Sequence, residues 1–186
     1  MPQVYCRPSR LFIALAATLC LAALPSFAGP DAARNKQLAQ DFIDVVYNGG
    51  DLDAIPRFIA ADFVDHSPGA PPDARGPGFV RRQAEGTYAA FPDLKFAIER
   101  MLAEGDLVAI HWSSEGTASA QAAGGGAEGK SVRIEGISIF RYDDEGKVAE
   151  SWDLVDRAGM MAQLGFEIRP PGSADGEGED GEGGGE

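Results

Sequence analysis

The side chains best placed in the sequence to move a proton are Asp153, His111 and His66, the last two being the only histidines in the chain. Asp153 falls near the end of Lys147 to Val155, a run with strand character. Alternation along a strand puts Lys147, Ala149, Ser151, Asp153 and Val155 on one face and Val148, Glu150, Trp152 and Leu154 on the other. Asp153 thus sits beside small side chains, as a cavity-lining residue would. A carboxyl in an apolar cavity is costly as an anion, so its pKa should rise. A base poised nearer neutrality can take a proton from an activated carbon and return it to an oxygen. The competing reading is a strand-end carboxylate that is solvated or paired with Arg141.

His66 stands in Asp65-His66-Ser67-Pro68, at a junction between strand and loop. His111 lies mid-strand and shares a face with Ala109, Ser113 and Glu115, while Ile110 and Trp112 point the other way. Each histidine has two readings, as a pocket residue that orients or polarises a substrate oxygen and as a buried imidazole bonded to backbone. Two histidines among scattered carboxylates make no metal-ligand spacing, so no metal is expected. No serine stands in a Gly-x-Ser-x-Gly elbow.

The elements that must carry these residues change period midway. Residues 30–48 read as a helix, with Asp31 as cap and Leu38, Phe42, Val45 and Val46 on one apolar face. Asn48-Gly49-Gly50 stops it. Asp51 to Ala60 reads as a second short helix capped by Asp53, with Pro56 in its first turn. Ala61 to Ser67 is a brief extended piece, and Pro68 to Pro77 is a loop. Gly78 to Ala90 is a third helix. Four strands are then expected over Asp93–Ala103, Leu107–Thr117, Ser131–Tyr142 and Lys147–Val155. Gln121 to Gly129, with four glycines, is expected to be a mobile connection. Asp156 caps a last short helix ended by Gly165. Helices followed by consecutive antiparallel strands indicate an α+β fold. Three N-terminal helices would cover one face of a curved sheet of about four strands plus a short edge strand. A cavity between the layers would follow, where small ligands usually bind.

At 186 residues the chain is one domain of ordinary size. Its net charge of −13 argues against a nucleic-acid partner, which needs clustered lysines and arginines. Residues 1–28 have the layout of a secretory signal peptide. Arg7 and Arg10 precede the uncharged apolar run Leu11 to Leu24, and Ser26 and Ala28 are the small residues before a cut at Gly29. That run is too short for a spanning helix, so no stable membrane anchor is expected. Export to a periplasmic or extracellular location is the expectation. Both cysteines, Cys6 and Cys20, would leave with the leader, so a mature chain has no thiolate or disulfide chemistry. Residues 29–168 would form the domain. Residues 169–186 are acidic and glycine-rich and would be a disordered tail.

Several stretches, in order, resemble the SnoaL-like polyketide cyclases, also labelled ester cyclases, of the nuclear-transport-factor-2-like superfamily. They run from Phe42-Ile43 and Val46-Tyr47-Asn48-Gly49-Gly50-Asp51 through Phe63-Val64-Asp65-His66-Ser67-Pro68 to Phe91-Pro92-Asp93-Leu94. Val108-Ala109-Ile110-His111-Trp112, Gly136 to Arg141, Gly146 to Asp153 and Gln163-Leu164-Gly165 complete them. The resemblance implies an α+β cone enclosing a pocket, often dimeric through its sheet, so a homodimer is a further expectation. It also implies an acid/base aspartate on the last strand and no metal or organic cofactor. That aspartate matches Asp153, and the family's histidines match His111 and His66. Tyr47, Phe63, Trp112 and Phe140 are the expected pocket walls.

Three functions fit. The first is an exported enzyme doing acid/base chemistry on a small carbonyl compound. The second is a non-catalytic module binding a small apolar molecule in the same cavity. The third is an epoxide-hydrolase-like or ketosteroid-isomerase-like enzyme, in which Arg133 or Arg141 would join Asp153.

Overall fold

The computed structural model describes residues 30–122 and 126–167. The expected leader, the acidic tail and the centre of the glycine-rich connection lie outside the described residues.

Helix α1 (Pro30–Phe42) starts one residue before its expected cap and runs into a π-helical turn, Ile43–Asn48. A π turn widens the helix by one residue per turn and often marks a functional site. Two tethers hold this one. Tyr88 donates its hydroxyl to the carbonyls of Val46 and Tyr47, at 2.7 and 2.9 Å. The Asn48 amide pairs with the backbone of Phe96 in both directions, at 2.8 and 3.0 Å, as a neighbouring strand would.

The expected second helix is shorter than its sequence suggested. A 3-10 turn, Leu52–Ala54, leads into α2 (Ile55–Phe58), and Asp51 rather than Asp53 accepts the capping bond, from the Ala54 N–H at 3.2 Å. Asp53 instead pairs with Arg81. Ile59 and Ala60 belong to strand β1 (Ile59–Asp65). Helix α3 (Gly76–Ala90) follows the proline-rich loop. Strands β2 (Lys95–Glu104), β3 (Leu107–Thr117), β4 (Ser131–Tyr142) and β5 (Val148–Val155) then form the sheet, and α4 (Arg157–Gln163) closes the chain. Asp156 caps α4 through the Gly159 N–H at 2.8 Å, as its position predicts.

The sheet has five strands in the order β1-β5-β4-β3-β2. Four are an antiparallel meander, but β1 is parallel to β5. That pairing joins the first strand to the last and brings Asp65 opposite Ser151. Helices cover one face. Phe42, Val46, Phe58, Phe79 and Val80 from the helical side pack with Val108, Ile110, Trp112, Ile134 and Phe140 from the sheet. Burial strictly alternates along β4, where Val132, Ile134, Gly136, Ser138, Phe140 and Tyr142 face inward.

The expected alternation of β5 needs a correction. Register slips where Tyr142 pairs Val148 but Arg141 pairs Glu150, leaving Ala149 as a bulge. Val148 therefore faces the core at 1% exposure, alongside Ser151 and not alongside Glu150. Beyond the bulge, Ser151, Asp153 and Val155 face inward as the alternation predicts, each lining the interior.

Gly136 is demanded by packing. A Cβ there would overlap the Trp112 ring, which lies across it. Gly136→Ala should cost about 1–3 kcal/mol through overpacking. Thermal unfolding checks this, and an unchanged Tm would mean that the indole is free to move aside.

Candidate active site

Between the helices and the sheet lies a cavity of about 560 Å³. Tyr47, Phe63, Trp112 and Phe140 all line it, together with Phe42, Phe91 and Phe96. Against these apolar walls stands one cluster of polar groups: Asp65, Ser67, Gln83, Ser138 and Asp153. Each arrives from a different place in the chain. Asp65 ends β1, Ser67 begins the following loop, Gln83 is on α3, and Ser138 and Asp153 are cross-strand partners on β4 and β5.

Donor chemistry orients the cluster. The Trp112 indole N–H can only donate, and it does so to Ser138 Oγ at 2.9 Å. Ser138 therefore has its own hydroxyl proton free to donate, and gives it to Asp153 Oδ1. On the other side, Ser67 Oγ accepts from the Asp153 backbone N–H at 2.9 Å and reaches Asp153 Oδ2 at 3.4 Å. The Ser67 N–H donates to Asp65 Oδ1 at 2.7 Å, and Gln83 donates to Asp65 Oδ2 at 3.3 Å. Ser67 thus links the two carboxyl groups.

Burial pushes the Asp153 pKa up. The Ser138 bond opposes this, the charge of nearby Asp65 adds to it, and bonds from Ser151 and Ser67 oppose it again. Burial prevails, so the carboxyl holds its proton more readily than an exposed aspartate. Tyr47 responds in the same sense. Burial, then the charge of Asp153, keeps its hydroxyl from ionising, and it remains a neutral donor.

The two histidines do not join the cluster. Both expectations that they line the pocket are corrected, because both rings lie on the outer face of the sheet. His66 stacks on Trp152, with centroids 4.9 Å apart and planes at 17°, and its Nε2 is 3.5 Å from Glu150. His111 lies 3.6 Å from Glu135 and 3.4 Å from Arg100. The same holds for the arginines offered to a hydrolase site. Arg133 binds Glu99, Glu115 and Glu135, and Arg141 binds Glu150, all on the outer face. An Asp-Arg-Asp relay built on either is therefore not assembled. Arg157 reaches the rim of the cavity but bonds neither aspartate. Among the described residues no group of histidine, cysteine, aspartate and glutamate could hold a metal.

With this geometry in view, comparison with known proteins is informative. The family model of SnoaL-like polyketide cyclase matches residues 37–164. The chain belongs to that family. The search of curated proteins gives no match. Among solved structures, IdmH, a putative polyketide cyclase from Streptomyces antibioticus, is 29% identical with a TM-score of 0.63, covering 71% of this chain and 99% of its own. AclR, a putative hydroxylase from Streptomyces galilaeus, is 26% identical with a TM-score of 0.64, covering 75% and 87%. A SnoaL-like protein from Jannaschia sp. CCS1, 18% identical with a TM-score of 0.66 over 75% and 97%, shares the fold.

Asp65, Ser67, Gln83 and Ser138 are absent from the sequence-derived candidates. Alternation alone could have found Ser138, the one serine in an inward row of β4 that is otherwise aliphatic, aromatic or glycine. It could also have paired Asp65 with Ser67 on the face opposite His66.

A raised carboxyl pKa has a stability consequence with a definite sign. The fold prefers the protonated form, so the stability linked to Asp153 is complete below the unfolded pKa and is lost as pH rises through the folded one. Asp153→Asn should therefore unfold at a higher temperature than the parent at pH 7. The gap should close as pH falls below the ordinary carboxylate range, near about 4. Melting curves of both proteins across pH test this, and a variant less stable than the parent at pH 7 would show that the serine bonds outweigh burial.

Proposed function

We propose that the chain is an acid/base enzyme acting on a small carbonyl compound enclosed in the cavity, with Asp153 as the proton carrier. The observation that carries this reading is a half-buried carboxyl with a raised pKa, held at both oxygens by serines, on the wall of a mostly apolar cavity. Proton transfer in such a site needs a base that is neither fully solvated nor tied to a fixed cation. Asp153 has no ion-pair partner among the described residues.

The step balances as an intramolecular aldol closure. The Asp153 carboxylate removes a proton from a carbon beside a carbonyl. The electron pair moves toward the carbonyl oxygen, where the neutral Tyr47 hydroxyl is a suitable donor. The carbon then forms a bond to a second carbonyl carbon of the same molecule, and the resulting alkoxide takes the proton back from Asp153. One carbon–carbon bond forms, no group leaves, and the proton count is unchanged. Metal and cofactor are not required.

Mass spectrometry of molecules that co-purify with the protein supplies the first substrate candidates. On a compound that is converted, Asp153→Asn should remove turnover while leaving Kd within roughly tenfold. Unchanged turnover in that variant ends the reading. A ligand bound by the parent and the variant but converted by neither makes the chain a non-catalytic binding module, which the apolar walls would serve equally well.

Export belongs to the same proposal and rests on the residues 1–28 pattern. The mature protein should begin near Gly29 and act in a periplasmic or extracellular setting. N-terminal sequencing of the protein from its native cell should start there; a start at Met1 would place the reaction inside.

A further inference from the structure

We propose that Ser114 is a second polar subsite of the cavity. It would select elongated, mostly apolar substrates that carry a hydrogen-bonding oxygen far from the reacting carbonyl. The inference rests on the reading that the cavity takes the substrate.

Ser114 is 2% exposed, and its hydroxyl has no hydrogen-bond partner. A buried hydroxyl without a partner carries an uncompensated desolvation cost, which is uncommon in native interiors. The other buried hydroxyl of this kind, Tyr142 Oη, lies away from the cavity lining. Ser114 is on that lining. Its neighbour Ser113 faces outward, where it donates to Glu99 at 2.6 Å. Ser114 therefore stands on the cavity face of β3.

Its surroundings offer no protein partner. Across the sheet it faces Phe96 on β2 and Ile134 on β4, and Trp112 flanks it on the inward row of its own strand. All three line the cavity. The polar cluster around Asp153 is elsewhere. Asp153 pairs with Ser138, which pairs with Ile110, four residues before Ser114 on β3. At about 3.3 Å per residue the two polar ends are separated by roughly 13 Å along the strands. The Trp112 indole fills the stretch between them, lying across Gly136.

The occupant that answers both ends is long and flat. Its reacting carbonyl meets Asp153 and Tyr47, its middle rests on the indole, and an oxygen at its far end meets Ser114. A compact substrate would leave Ser114 unpaired. An acceptor or donor serves there, since a hydroxyl does either.

Two probes differing only at the far end test this on the full chain: 2-hydroxyanthraquinone and 2,6-dihydroxyanthraquinone. Titration should show the parent binding the dihydroxy probe about tenfold more tightly, the worth of one buried hydrogen bond. Ser114→Ala should bind both alike and keep the parent's affinity for the monohydroxy probe. Asp153→Asn should keep the parent's preference, because the far end is untouched. Equal binding by the parent, or a preference that survives in Ser114→Ala, overturns the subsite alone. Binding of neither probe counts instead against the underlying reading that the cavity takes flat apolar molecules. Ser114→Ala should also melt no lower than the parent; a lower Tm with unchanged preference would make the hydroxyl a structural, water-held group and overturn the proposal.

Discussion

The site depends on one directed hydrogen-bond chain, from the Trp112 indole through Ser138 to Asp153. An indole N–H cannot accept, so the first bond leaves the Ser138 proton unused. Ser138 Oγ receives from Trp112 at 2.9 Å and offers that proton onward, to the carboxyl. Three strands are needed to build this. Trp112 is on β3, Ser138 on β4 and Asp153 on β5, and the indole spans the gap only because Gly136 leaves room beneath it. A large ring, a missing side chain and a hydroxyl two residues along form one device. Its result is a half-buried carboxyl with a hydroxyl donor fixed on one of its oxygens.

The second half of the cluster depends on a long-range pairing. Because β1 runs parallel to β5, the His66 N–H meets the Ser151 carbonyl at 2.8 Å, and Ser67 comes to rest against Asp153. Ser67 then spends its groups on both aspartates: its N–H on Asp65, its Oγ on the Asp153 backbone and carboxyl. Ser67 and Gln83 donate to the two Asp65 carboxylate oxygens, and the charge of Asp65 adds to the cost of a charge on Asp153. The two carboxyls share one cavity wall and are linked through Ser67.

Local pattern made much of this legible. Strands β3 and β4 end where their alternation ends, Asp156 caps α4 as its position predicts, and the inward facing of Asp153 follows from parity with Ser151. The same parity rule set His111 and Trp112 on opposite faces of β3, so only one of them could line a cavity. The structure chooses Trp112, whose large apolar ring gains more from burial than an imidazole between Glu135 and Arg100. What local pattern could not carry was non-local. The parallel β1–β5 pairing joins residues more than eighty positions apart, and it alone makes Asp65 and Ser67 part of the site. The bulge at Ala149 inverted Val148 because parity counting assumes an unbroken register.

The sheet divides its chemistry between its faces. Arg100, Arg133 and Arg141 stand on the outer face of the strands with Glu99, Glu115, Glu135 and Glu150, where solvent and mutual pairing reduce the cost of charge. Among the described residues the inner face holds aspartates and serines but no paired cation. Had Arg141 pointed inward at Asp153, the ion pair would have lowered the carboxyl pKa and fixed it as a permanent anion. Facing outward, it leaves hydroxyl groups as the main support of that carboxyl. Hydroxyl bonds orient a carboxyl without holding it charged against the pull of burial. An aspartate so placed can carry a proton in either direction, and that reversibility is what a base that must later act as an acid requires.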